Sequence, residues 1–220
     1  TEYSAPQGNN PKWAVNWLEN NGILGMYYLG DTGMGPTRHW REGNLLNQKV
    51  WMFPVLPFGL YATFEDFEAN LISPTDVTAW LNKVVDFNVT QGSTRMIYFH
   101  PPGAIGYLPS LTSMLSRAKS YANSLSYNFK WYTMTDLSRF MTKGKQVTWK
   151  TALQADGSLL FQASHPADLT GQTWILPKAS FSQPVPAASY IDKVTIGQNS
   201  ANWLVITKSG SSLSFSAKPL

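Results

Sequence analysis

The feature that most constrains the fold is a change of texture near residue 145. Before it, apolar runs alternate with helix-period patterns. After it, short strand-like runs are punctuated by Gly, Ser, Asn and Pro. "NNPKWAVNWLENNG" reads as a helix with Asn10 at its N-cap, Pro11 in the first helical position and Gly22 as its stop. "ILGMYYLGD" follows as a strand from Ile23 to Leu29, then the glycine-rich loop "GDTGMGPTRHWREGN" and a second strand in "KVWMFPVLP". "SPTDVTAWLNKVVDFNV" has Ser73 near its cap and Val77, Trp80, Leu81, Val84 and Val85 on one face, as a helix requires. "RMIYF" is expected as a strand, "LPSLTSMLSRAKSYANSLS" as a helix, "FKWYTM" as a strand, and "TDLSRFMTKG" as a short helix capped by Thr135. This alternation predicts βα units and a parallel sheet or barrel; with about four strands, half a barrel, either the sheet is open or a first half is missing. From Lys145 the pattern is all β, with Asp156-Gly157 and Ser209-Gly210 as expected hairpin turns, and predicts a small β-sandwich. The expected fold class is therefore α/β plus all-β, divided into residues 1–144 and 145–220.

Composition narrows the functional classes. The 220 residues hold 17 Lys+Arg against 13 Asp+Glu, and their formal net charge of +4 is scattered rather than clustered. Nucleic-acid binding gains no support from that distribution. Charged residues are 14% of the chain, against roughly 25% in ordinary soluble domains, while aromatics are also 14%. That balance suits a carbohydrate-handling or extracytoplasmic protein better than a cytosolic hub. With no cysteine, disulfides, thiolate metal sites and cysteine nucleophiles are excluded. The apolar stretches fall short of the roughly 20 residues that cross a bilayer, so no membrane span is expected.

Two constellations could carry chemistry. In "RMIYFHPPGAIGYLP", His100 ends an apolar run at a strand's carboxyl end, where βα folds keep their catalytic groups. Pro101 and Pro102 are expected to forbid immediate helix and to hold the imidazole in an open loop. In "GDTGMGPTRHWREG", Asp31, Arg38, His39, Trp40, Arg41 and Glu42 crowd another strand-end loop, where an indole could stack on a sugar ring; its glycines match neither nucleotide-binding spacing. Three other features read as bland. Glu65, Asp66 and Glu68 are expected in a solvated loop, His165 on the surface, and Asn88-Val89-Thr90 as a chance glycosylation pattern.

Taken in order, three segments resemble the later part of the polysaccharide deacetylase family, carbohydrate esterase family 4. "SAPQGN", Ser4 to Asn9, is similar to its third motif, an Arg-x-Pro-aromatic-Gly turn that opens a helix. His39-Trp40 is similar in place to the fourth, an Asp-Trp pair, and "YFHPPG" resembles the fifth, in which a strand ends in the catalytic histidine. The resemblance covers roughly residues 1 to 142, closing on "WYTMTDLSRFM". It implies a distorted (β/α) barrel that removes N-acetyl groups from an amino-sugar polysaccharide with a divalent metal, expected to be zinc. By position, His100 would be the general acid and Trp40 would line the acetyl pocket; Pro6, Asp31, Arg38 and His39 are the further candidates for binding substrate.

This sequence departs from the family pattern in ways that shape the expectation. The family's base Asp, metal Asp and H-x-x-x-H pair precede its third motif, and no residue here replaces them; no metal ligand is expected within this chain. Ser4 stands where the motif-three arginine belongs, and His39 where the motif-four Asp belongs. The expectation is the C-terminal portion of a deacetylase, inactive without an N-terminal half, which would be its partner together with the polysaccharide. The substitutions point to a divergent or catalytically dead relative. The alternative is a carbohydrate-binding or structural module without activity. Asp-Asp and H-x-x-x-H residues upstream of Thr1 would mark the first reading.

Overall fold

The computed structural model describes residues 2–4, 11–46, 48–127 and 129–220. The chain forms two compact units, Thr1–Arg139 and Phe140–Leu220. Both helices and sheets are present, and the sheets among the described residues are open.

Among the described residues, the first unit carries six short strands: β1 Glu2–Tyr3, β2 Gly25–Leu29, β3 Thr37–Arg38, β4 Trp40–Arg41, β5 Asn44–Leu45 and β6 Trp51–Val55. Four of them make a sheet in the order β1-β2-β6-β3, parallel from β1 through β6 and closed off by the antiparallel β3. The other two, β4 and β5, pair as a small ribbon. Every residue of β6 is buried, as expected of a strand covered on both faces. Helix α1, Lys12–Asn20, lays Val15 and Leu18 on Met26, Val50 and Met52. Pro11 occupies its N-cap position, and Asn10, the expected cap, lies outside the described residues.

Three further helices build the larger core: α2 Phe64–Ala69, α3 Pro74–Gln91 and α5 Leu108–Ser124. In α3, Ser73 Oγ accepts from the Asp76 N–H at 3.2 Å, Pro74 takes the first turn, and Gly92 ends the helix at φ +60°. Its buried face of Val77, Leu81, Val85 and Val89 packs against Met114, Ala118 and Ala122 of α5, with Phe64, Phe67 and Tyr107 completing the cluster. The small alanines let α5 approach closely. A bidentate bond from Arg117 to Asp86, at 2.7 and 2.6 Å, ties the same two helices together.

Several expectations fail here, each for a physical reason. Arg95–Phe99 and Phe129–Met134 do not form strands, apart from a single bridge between Thr63 and Tyr98. A strand needs a neighbour to complete its hydrogen-bond ladder, and along Arg95–Phe99 only Tyr98 pairs, through its bridge to Thr63. Pro101 and Pro102 do not force a loop either, because α4, Pro101–Gly106, begins at Pro101 with His100 in the N-cap position. Proline suits a helix's first turn because those N–H groups have no intrahelical acceptor. Helix α6, Met134–Lys145, is capped by Thr133 rather than Thr135: the Asp136 N–H donates to Thr133 Oγ1 at 3.1 Å. The glycine-rich loop holds three short strands rather than irregular chain, and Asn88 sits inside α3 with its amide donating to the Val84 carbonyl.

The second unit has seven strands: β7 Thr148–Leu153, β8 Leu159–Ser164, β9 Thr173–Pro177, β10 Val185–Pro186, β11 Val194–Gln198, β12 Asn202–Thr207 and β13 Ser212–Ala217. They make two antiparallel sheets, β10-β13-β8-β7 and β11-β12-β9, which share one core including Leu176, Val205, Leu213 and Phe215. The Asp156-Gly157 turn joins β7 to β8 as a hairpin, with Gly157 at φ +80° and Asp156 Oδ1 accepting from the Ser158 N–H. Ser209-Gly210 is not a hairpin turn, because β12 and β13 lie in different sheets. Instead, that segment crosses between the sheets, its carbonyls taken up by Leu169 and His165 N–H groups. His165 is buried, not surface-exposed, and its Nδ1 accepts from the Ala167 and Asp168 N–H groups at 3.0 and 2.9 Å.

Candidate functional site

The site is built where α2 and α4 begin. The start of α2 is fixed by Asp66, whose carboxylate accepts from the Ala62 and Thr63 N–H groups at 2.7 and 3.0 Å. That cap places Glu65 in the first turn, aimed at the opposite helix start. At α4, His100 has extended backbone (φ −91°, ψ 154°), so both its N–H and its ring face Glu65. Glu65 Oε1 accepts from the His100 backbone N–H at 2.9 Å and lies 2.5 Å from Nδ1. The two helices can come together because residue 103 is glycine: a Cβ there would stand 3.2 Å from the Glu68 carboxylate.

These contacts assign the imidazole tautomer. An ionised carboxylate only accepts, so Nδ1 carries the proton and Nε2 is left as the exchanging atom. Nε2 lies 3.1 Å from Tyr98 Oη, which in turn is 3.3 Å from Tyr27 Oη on β2. The two tyrosine rings are tilted against each other with centroids 5.0 Å apart. The His100 side chain is 63% exposed, so Nε2 is reachable from solvent while Nδ1 is anchored. Burial pushes the Glu65 carboxyl up, but hydrogen bonds from its own backbone, from Thr63 and from the His100 ring and N–H outweigh it and leave the group below the usual glutamate range. The bond to Tyr27, with burial and the nearby Glu65 charge, pushes the Tyr98 phenol up to about 12. The arrangement is a carboxylate-oriented imidazole that can take or give a proton at Nε2.

The other expected residues are not gathered around His100. Asp31 follows the carboxyl end of β2 in an exposed turn. Arg38 pairs with Trp51, the first residue of β6, so β3 carries Arg38, His39 and Trp40 toward the amino ends of the parallel strands. Arg38 is buried rather than in a solvated loop; its guanidinium lies 3.8 Å above the Trp51 ring and donates to the Lys49 carbonyl. His39 is buried as well, its carbonyl accepting from Leu46, whereas Trp40 is 56% exposed. Pro6 lies outside the described residues. Glu65, Tyr98 and Tyr27 were not expected at the site, although the Thr63-x-x-Asp66 spacing is a capping signal that places Glu65 on a helix.

Among the described residues, no three His, Asp or Glu side chains come together as a metal-binding set. No described helix is long and apolar enough to cross a membrane. Comparisons with protein-family models, curated proteins and solved structures find no match.

Proposed function

We propose that the first unit supplies the proton-donating wall of a polysaccharide deacetylase-type hydrolase, with His100 as general acid. The observation that carries this reading is the Glu65–His100 pair at 2.5 Å, with Nδ1 anchored and Nε2 beside Tyr98 Oη on a largely exposed side chain. When amide hydrolysis expels an amine, the C–N electron pair goes to nitrogen, which must gain a proton to leave. A protonated Nε2 gives that proton, and Glu65 stabilises the imidazolium beforehand. Tyr98 accepts from Nε2–H in the charged state and can donate to it once the ring is neutral. The motif resemblance of "YFHPPG" supports N-acetylated amino-sugar polymers as substrates, and the aromatic-rich, charge-poor composition supports an extracytoplasmic setting.

The described residues do not form a ligand set for the divalent metal that this reading calls for, so no step is routed through it. Its ligands and the base Asp would have to come from residues outside these 220. By themselves, the 220 residues are expected to release no acetate from a partially N-acetylated glucosamine polymer, even with zinc added. Within a longer polypeptide carrying those groups, His100→Asn should lower kcat by about 10²–10⁴-fold with little change in KM. An active isolated chain, or a His100→Asn protein with undiminished kcat, would refute the reading.

A second reading rests on Trp40, whose indole is 56% exposed on the β4–β5 ribbon. Such a ring can stack on a sugar without catalysis. In that case Trp40→Ala abolishes polymer binding and His100→Asn leaves it intact.

A further inference from the structure

The first unit contains a cavity of about 350 Å³ that does not include His100. Its walls are apolar, with Phe53 and Leu56 on one side and Ile97, Met114 and Leu137 among the others, and half-exposed Trp131 at its edge. One charged side chain, Arg95, stands among its described lining residues. Arg95 donates from Nη2 to the Leu56 carbonyl and lies 5.6 Å from the Phe58 ring centroid. Its Nε–H is buried with no acceptor, and no carboxylate among the described residues is ion-paired with it. Burial alone accounts for its lowered pKa. A half-buried guanidinium whose Nε–H has no acceptor is incompletely satisfied, and its planar donor fork matches a carboxylate.

We propose that this cavity is a binding site for an amphiphile with one carboxylate head and an unbranched or aromatic apolar body. The body fills the space between β6 and α5, and the carboxylate neutralises Arg95. At roughly 30 Å³ per heavy atom, the cavity takes about a dozen heavy atoms, the size of a ten-carbon fatty acid. Trp131 and Tyr132, each 49% exposed, border the opening through which such a ligand enters. The site is independent of the proton chemistry at His100, so either can fail without the other.

The test is calorimetric titration of the chain with decanoate, decan-1-ol and decylammonium. Saturable one-site binding of decanoate is expected, with decan-1-ol weaker by roughly ten- to hundredfold, as a lost charge-assisted hydrogen bond implies. Decylammonium should not bind. Arg95→Gln should reduce decanoate to the level of decan-1-ol. Thr94→Glu, at an exposed position on the cavity rim, should weaken decanoate alone, and it decides the matter if the Arg95 variant fails to fold. Absence of saturable decanoate binding, equal affinity for decylammonium, or a Thr94→Glu protein with unchanged decanoate affinity would overturn the proposal.

Discussion

Glu65 and His100 are separated by 35 positions in the chain, yet one carboxylate oxygen holds both the backbone and the ring of the histidine. Glu65→Gln keeps the shape but puts an amide where a carboxylate accepts from the His100 backbone N–H and ring, so the variant should lose thermal stability at neutral pH. The sign of a pH effect follows from Glu65 itself. Its folded-state pKa is depressed, so its contribution to stability is complete above the ordinary value of 4.5 and is lost as pH falls through the lower folded value. The stability difference between wild type and Glu65→Gln should therefore shrink in acid, as read by urea unfolding at a series of pH values. Tyr98 behaves oppositely: its raised pKa favours folding below pH 10 and the advantage disappears toward about 12. Phenolate absorbance should show one group ionising near pH 12 that Tyr98→Phe removes.

Helix starts in this chain share a short code. Thr63-x-x-Asp66, Ser73-x-x-Asp76 and Thr133-x-x-Asp136 each open a helix with a hydroxyl residue and an aspartate three positions on. Ser73→Ala should cost about 1 kcal/mol by thermal or denaturant unfolding. The helices α1, α3 and α5 were legible because apolar periodicity and caps are local signals. Glu65 is harder to read, because a helix as short as α2 has too few residues to show a period and only the Thr63-x-x-Asp66 spacing marks its start. The strand readings at Arg95–Phe99 and Phe129–Met134 failed because pairing depends on a partner edge that no local pattern records. Close approach is equally invisible: a Cβ at Gly25 would meet Ser138 Oγ at 2.9 Å and Met134 Cβ at 3.1 Å, where α6 presses on β2. Gly25→Ala should destabilise the first unit by about 1–3 kcal/mol.

At the scale of the whole molecule, the chain divides after Arg139, and its buried residues form two clusters in the first unit and one in the second, with none in common. The division falls within α6, whose Lys143 Nζ donates to Asp168 and the Thr170 carbonyl at 2.7 and 2.8 Å inside the second unit. That ammonium, with bonds from Thr170, holds the Asp168 carboxyl well below the usual carboxylate range. The second unit's topology was only partly legible, since Asp156-Gly157 and Ser209-Gly210 look alike in sequence but one closes a hairpin and the other crosses between sheets. His100 and Trp40 stand out in the sequence, and the structure puts His100 at the start of α4 and Trp40 on the β4–β5 ribbon. The proposed chemistry therefore rests on His100 and the groups that orient it. Its most direct test is acetate release from an N-acetylated glucosamine polymer by a polypeptide joining this chain to a metal-binding deacetylase half. Turnover that falls about 10²–10⁴-fold in His100→Asn, with polymer affinity retained, is the predicted result; turnover unchanged by that substitution would contradict it.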